Sequence, residues 1–299
     1  MNTTNKMWVE KYRPKTLEEI IFKDKEKIRN FLKNNESMPH LLFHSASAGL
    51  GKTSLAHIII NKLGADHKII NASDERKIDT IREQITEFVR AKSSKQNVRR
   101  IVMLDEADGL LPASQDALRN LMETYASNAL FILTANVESK IIEPIKSRCV
   151  SINFSKPEKK DIKTYLKNIC EKEELTHDEQ GIDYVIEINY PSIRNCIKQL
   201  QVLKAEEKSV TKENVVQREQ EEYDKIYNYI TKDYDWKAVR DYVFTNNVDV
   251  QSLNKYIWGK AVATSNIKHM QITCSNEKNF KAGADPIVVF VTSLIDMVK

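Results

Sequence analysis

The chain has 299 residues, 41% of them hydrophobic and 29% charged, and 46 basic residues against 42 acidic ones give a net charge of +4. That length accommodates about two domains with real cores, in an ordinary globular composition. Only 7 glycines and 7 prolines argue against a turn-rich all-β fold, and so mild a charge excess is no nucleic-acid signature by itself.

From residue 40 to 154 strands and helices alternate. "HLLFH" (40–44) is a short apolar run typical of a buried strand, and "KTSLAHIIINKLG" has helical length with Gly64 as its C-cap. "HKIINAS" reads as a second strand. In "DTIREQITEFVRAK", Ile81, Ile85, Phe88 and Val89 share a helical face. "RRIVMLDEAD" is a third strand running into acids, "SQDALRNLMETYAS" an amphipathic helix, and "ALFILTAN" and "CVSINF" the fourth and fifth strands. Strands that are apolar nearly throughout and alternate with helices imply a five-stranded parallel sheet covered on both faces.

After Phe154 the strands stop. "SKPEKKDIKTYLKNICEKEEL" reads as a helix entered through Pro157, two more helices follow with a break near Pro191, and residues 221–299 carry mixed helical patterns. "PIVVFVTSLIDMV" is too short to span a bilayer and reads as a buried helix, so no membrane partner is expected. The N-terminal "MNTTNKMWVEKYRP" lacks the apolar core of a signal peptide. Cys149, Cys170, Cys196 and Cys274 form no C-x-x-C pair. They read as reduced thiols of a cytoplasmic protein, neither a zinc site nor a disulfide framework.

"HSASAGLGKTS" lies between the first strand and its helix. It fits the phosphate-loop pattern G-x-x-x-x-G-K-[ST] except at the first position, where Ala46 stands. Gly49 and Gly51 let backbone N–H groups converge on phosphate oxygens, and the following helix N-terminus adds partial positive charge. Lys52 is the candidate for the β- and γ-phosphates and Thr53 for Mg²⁺. Ala46 is tolerable if its φ is negative, because it sits where the chain leaves the strand, far from the phosphates. Asp105 and Glu106 end the third strand, about fifty residues beyond the GKT. Ligand groups gather at the carboxyl ends of parallel strands, which suits Asp105 to the metal and Glu106 to an attacking water. Asn136 ends the fourth strand, within reach of a γ-phosphate. Arg148, in Ser147-Arg148-Cys149, is a candidate arginine finger for a neighbouring subunit's nucleotide.

Taken in order, "WVEKYRPKTLEEII", "GLGKTS", "NASDERKIDTIR", "LDEAD", "SQDALRNLMETYAS", "LTAN…KIIEPIKSRC" and "PSIRNCIKQLQ" resemble the sliding-clamp loader ATPases of the AAA+ superfamily. These are the small subunits of replication factor C and their relatives, and the resemblance covers about residues 7–205. The Ala46 loop, with its His-Ser-x-Ser-x-Gly pattern, and "KID" followed by Arg82 are most similar to the large clamp-loader subunit of T-even-type bacteriophages. The Asp-Glu-Ala-Asp box matches the cellular proteins instead.

The resemblance implies an α/β AAA+ P-loop domain (1–155), a small helical lid (156–218) and an all-α collar for oligomerisation (219–299). It implies that Val9, Glu10, Lys11, Tyr12 and Ile21 line the adenine and that Gly49, Leu50, Gly51, Lys52, Thr53 and Ser54 form the phosphate loop. Asn136 is then sensor 1, Arg148 the finger acting in trans, and Arg194 a lid residue touching the γ-phosphate. DNA backbone contact falls to Lys77, Ile78 and Arg82, and to the region Leu110–Gln115. ATP and Mg²⁺ are the implied cofactors. The implied partners are a sliding clamp, primer–template DNA, copies of the chain and a different, smaller subunit. Another AAA+ DNA motor, or a structural loader subunit with little ATPase activity, remain the alternatives.

Overall fold

The computed structural model describes residues 7–72, 78–91, 99–246 and 248–298. They fall into two compact units. One takes the described residues through Thr176 together with Val185–Glu207; the other takes His177–Tyr184 and the chain from Lys208 onward.

The first unit is built on five parallel strands: β1 (His40–His44), β2 (His67–Asn71), β3 (Arg100–Asp105), β4 (Ala129–Ala135) and β5 (Cys149–Asn153), in the order β2-β3-β4-β1-β5. All five are the strands expected from the apolar runs. Side chains alternate between faces with a period of two. Leu41, Phe43, Ile101, Met103, Leu130 and Ile132 therefore face one core, packed against Ile28 of α2 (Lys25–Lys33) and Leu55, Ile58 and Ile59 of α3 (Lys52–Leu63). Leu42, Val102, Leu104, Phe131 and Leu133 face the other. There they meet Ile81 and Ile85 of α4 (Ile78–Arg90) and Leu118, Leu121 and Met122 of α5 (Pro112–Thr124). Each such side chain, fully buried, contributes roughly 1.5–3 kcal/mol, so both faces must be apolar and the strands read as continuous runs. The edge strands β2 and β5 are the exception, with Ile69 exposed.

Around the sheet lie a one-turn helix α1 (Trp8–Lys11), a short helix α6 (Glu143–Lys146), and α7 (Lys159–Lys172) and α9 (Ile193–Ala205) from beyond the last strand. Helix α8 (Glu179–Asn189) precedes the break at Pro191. Gly64 caps α3 in the left-handed conformation, as expected.

The second unit contains α10 (Lys212–Thr231), α11 (Trp236–Asn246), α12 (Val250–Ala263), α13 (Ile267–Lys281) and α14 (Pro286–Val298). Helical spacing sets its core: Tyr223, Ile226 and Ile230; Leu253 and Ile257; Phe290, Leu294 and Met297. Thr211, Asp249 and Asn266 cap helix N-termini through their side-chain oxygens. The apolar α14 buries only one face, since Val288 and Ile295 are exposed. The expected boundary at residues 218/219 lies inside the continuous helix α10. Among the described residues no helix is long and apolar enough to cross a membrane, and all four cysteines are free.

Candidate functional site

The strand order decides where the chemistry gathers. β4 lies between β3 and β1, so three neighbouring carboxyl ends deliver Asp105, Asn136 and the loop before Lys52 to one cleft. Gly49 (φ 80°) and Gly51 (φ 100°) both adopt left-handed backbone that other residues rarely take. At Gly49 a side chain would also collide with Ser192, whose Oγ lies 2.5 Å from where a Cβ would be. Ala46 is not among the residues with positive φ, which meets the condition for a non-glycine there.

Lys52 is buried at the first turn of α3. Its ammonium donates to Ser45 Oγ (2.6 Å), Asn136 Oδ1 (2.8 Å) and the Ser47 carbonyl (3.4 Å). All three acceptors are neutral, so the positive charge faces the cleft uncompensated by direct contact. Burial lowers its pKa, Asp108 and Asp105 oppose that, and Arg194 adds to the lowering. Thr53 Oγ1 donates to Asp105, 3.0 Å from Oδ1 and 3.2 Å from Oδ2. Glu106 follows with its side chain exposed and its backbone left-handed (φ 56°).

Val9, Tyr12 and Ile21 line the same cleft, as do Leu50 and Ser54, and Arg194 with Ile193 and Ile197 of α9. Two expected residues do not. Lys11 pairs with Glu173 at 2.6 Å, and Glu10 with Arg13 at 2.5 Å. On a one-turn helix Val9 and Tyr12 are three apart and share a face, which turns Glu10 and Lys11 away. The Tyr12 hydroxyl donates to Glu173 at 2.5 Å, and Tyr165 donates to the Tyr12 carbonyl. Burial opposes ionisation of Glu173, but the bonds from Lys11 and Tyr12 outweigh it and hold its pKa below the ordinary value.

Arg148 is outside its own chain's cleft. It is exposed, pairs with Glu123 at the end of α5, and donates to the Pro144 carbonyl at 2.6 Å. Lys77 lies outside the described residues. Ile78 opens α4, and Arg82 is exposed one turn later. Within Leu110–Gln115, Gln115 is buried and spent on structure: its amide donates to the Leu110 and Lys140 carbonyls and accepts from Ile142 N–H. That removes it from any surface contact.

Sequence reasoning missed Arg13, Ser45, Thr134 and Tyr165. Of these, Thr134 carried a signal, since it is the one polar residue in the apolar run that leads to Asn136. Arg13, Thr134 and Tyr165 line the cleft, and Ser45 holds Lys52. The residues suit a nucleoside triphosphate: a glycine cradle, an ammonium bonded only to neutral oxygens and a mixed apolar flank. For a Mg²⁺ ion they supply Thr53 and Asp105. Among the described residues no cluster of three His, Cys, Asp or Glu could hold a metal, so such an ion would depend on phosphate oxygens and water.

The model of the AAA family, "ATPase family associated with various cellular activities", matches residues 41–156. The replication factor C small subunit of Methanococcus maripaludis is 41% identical over 217 residues, covering 70% of this chain and 68% of that protein.

The chain belongs to the replication factor C small-subunit family.

The Staphylothermus marinus and Aeropyrum pernix small subunits are each 42% identical, over 207 and 202 residues. Those matches cover 67% and 65% of this chain but only 62% of each relative's length. Among solved structures, the Thermotoga maritima RuvB Holliday junction branch migration motor matches with a TM-score of 0.59 and 16% identity, covering 80% of this chain and 86% of that one. At that identity the likeness concerns the fold: an α/β AAA+ domain followed by helices.

Proposed function

We propose that this chain is the ATP-hydrolysing motor subunit of a DNA sliding-clamp loader. One observation carries the reading: Lys52, Thr53, Asp105, Glu106 and Asn136 converge at three adjacent strand ends, while Arg148 stands exposed outside that cleft. A cleft from which the chain's own Arg148 is absent suits a subunit whose neighbour supplies that arginine.

The residues then divide the work. The backbone N–H groups from Gly49 to Thr53 cradle the phosphates, and Lys52 exchanges Asn136 and Ser45 for phosphate oxygens. Thr53 and Asp105 would hold Mg²⁺, which when bound neutralises charge on the β- and γ-phosphates. Glu106 orients the attacking water, with Asn136 beside it. Arg194 reaches the γ-phosphate from α9, and Arg148 acts on the neighbouring subunit's nucleotide. Val9, Tyr12 and Ile21 hold the adenine.

The partners are a sliding clamp, primer–template DNA, copies of this chain and a smaller subunit, as in T-even phage loaders, whose large subunit the Ala46 loop resembles. ATP bound between subunits assembles a spiral that opens the clamp. Primed DNA shifts it to the hydrolysing arrangement, and the clamp closes and is released. Lys77, Ile78 and Arg82 are the residues that track the DNA backbone, without reading sequence. Division into a P-loop domain (1–155), lid (156–218) and collar (219–299) belongs to the same reading, as does a cytoplasmic location. Exposed Trp258 and Val262, one turn apart on α12, support a collar face that packs against other subunits.

The test is ATP turnover of the chain co-expressed with its neighbouring replication genes. Stimulation by clamp and primed DNA together is the expected result. Stimulation by protein-free DNA junctions, with no effect of a clamp, contradicts it and favours a branch-migration motor.

A further inference from the structure

We infer that Thr134 is a positioning residue for hydrolysis, one hydroxyl that fixes both acids of the site. Its Oγ1 lies 2.5 Å from Asp105 Oδ1 and 3.0 Å from the backbone nitrogen of Glu106. The direction of each bond is unambiguous. An ionised carboxylate only accepts and an N–H only donates, so the hydroxyl gives its proton to Asp105 and its lone pair to Glu106.

The sheet does not need this hydroxyl. β4 is buried along its whole length and otherwise apolar, and Thr134 is 1% exposed. Valine has the same branched shape, packs equally well in a strand and carries no polar atom to satisfy. The two acidic residues are the only partners of the hydroxyl among the described residues.

Each bond controls something the reaction uses. Asp105 Oδ1 also accepts from Thr53, so the carboxylate is gripped between the hydroxyl of the phosphate loop and that of β4. Its rotamer is thereby set from both sides. Glu106 sits at φ 56° and ψ 43°, a left-handed conformation that is unfavourable for a residue with a side chain. The bond from its N–H to Thr134 holds that turn, and the turn aims the carboxylate that orients water. Loss of the hydroxyl therefore displaces both acids while leaving the glycines, Lys52 and the apolar flank in place. Nucleotide binding and turnover should separate.

The inference rests on the reading of the cleft as an ATPase site. The experiment compares the wild type with Thr134→Val and Thr134→Ser in the assembled, DNA-stimulated complex. It measures kcat and KM for ATP, and the Kd of a fluorescent ATP analogue. Thr134→Val is expected to lower kcat about 10- to 100-fold, the scale of a small misplacement of reacting groups, with Kd and KM within about threefold. Thr134→Ser, which restores the hydroxyl, is expected within about threefold of the wild type in kcat. An unchanged kcat in Thr134→Val overturns the inference alone. So does an equal loss in both variants, or a loss of analogue binding that parallels the loss of turnover, because each marks a packing role. A wild-type complex that hydrolyses no ATP overturns the site reading and this inference together.

Discussion

Both units bury polar side chains, but with different outcomes. In the first, Ser45, Lys52 and Thr134 are buried beside an open cleft, and the Lys52 ammonium rests on neutral oxygens that an anion can replace. In the second, buried polar groups close on one another. The Asn254 side-chain amide donates to the Thr273 carbonyl at 3.0 Å; that of Asn276 donates to Asn254 Oδ1 at 3.1 Å and Ser293 Oγ at 2.9 Å. His269 Nε2 meets the Met297 carbonyl at 2.8 Å. One arrangement leaves an ammonium on neutral oxygens at an open cleft, whereas the other closes on protein partners, His269 Nδ1 excepted, and joins α12, α13 and α14. Substitutions of these polar groups in the first unit should therefore register mainly in activity, and those in the second mainly in stability.

After loss of Lys52, the largest effect expected on the activity side is at Arg148. Its pairing with Glu123 is an exposed ion pair, worth about 0–1 kcal/mol, so Arg148→Ala should leave chemical denaturation of the chain almost unchanged. In the assembled complex it should cut turnover by about 10³–10⁵, with ATP binding retained. Stability is the readout for Asn254→Leu. It removes one hydrogen-bond partner each from the buried Asn276 amide and the Thr273 carbonyl, and should lower unfolding free energy by about 1–3 kcal/mol in a urea titration of the full chain. Turnover per folded chain should hold. A variant at Asn254 that lost activity without losing stability would blur the division. The smallest effect is expected at Ala46→Gly: ATP affinity within about twofold, by calorimetry, because the residue is exposed and its backbone already suits a side chain. If it hurt as much as loss of Lys52, the account of this loop would be wrong.

These contrasts also explain what could be read from the sequence. The sheet and the glycine loop before Lys52 were legible because their chemistry is local. Gly49 through Ser54, the acids at the end of β3 and Asn136 just after β4 each announce themselves within a few residues, and parallel topology does the rest. Side-chain direction was less accessible. Glu10 and Lys11 follow the family pattern along the chain, yet a single helical turn keeps them out of the cleft lining and pairs them with Arg13 and Glu173. Tyr165 reaches the site only because α7 packs beside the N-terminal segment, contact across 153 positions that no local pattern encodes. The Asn254–Asn276–Ser293 network is equally silent, since its members are 22 and 17 residues apart and each alone resembles an ordinary helix-surface residue.

The central claim is that the strand-end residues of the first unit form a hydrolytic nucleotide site. Turnover of the assembled complex at saturating ATP, with clamp and primed DNA present, tests it most directly when Lys52→Ala is set beside the wild type. The account predicts that turnover is abolished, while the denaturation midpoint of the nucleotide-free chain shifts by no more than about 1 kcal/mol equivalent, because the buried ammonium is held for function at some cost to stability. Undiminished turnover in Lys52→Ala would contradict it and leave the chain a structural member of its family.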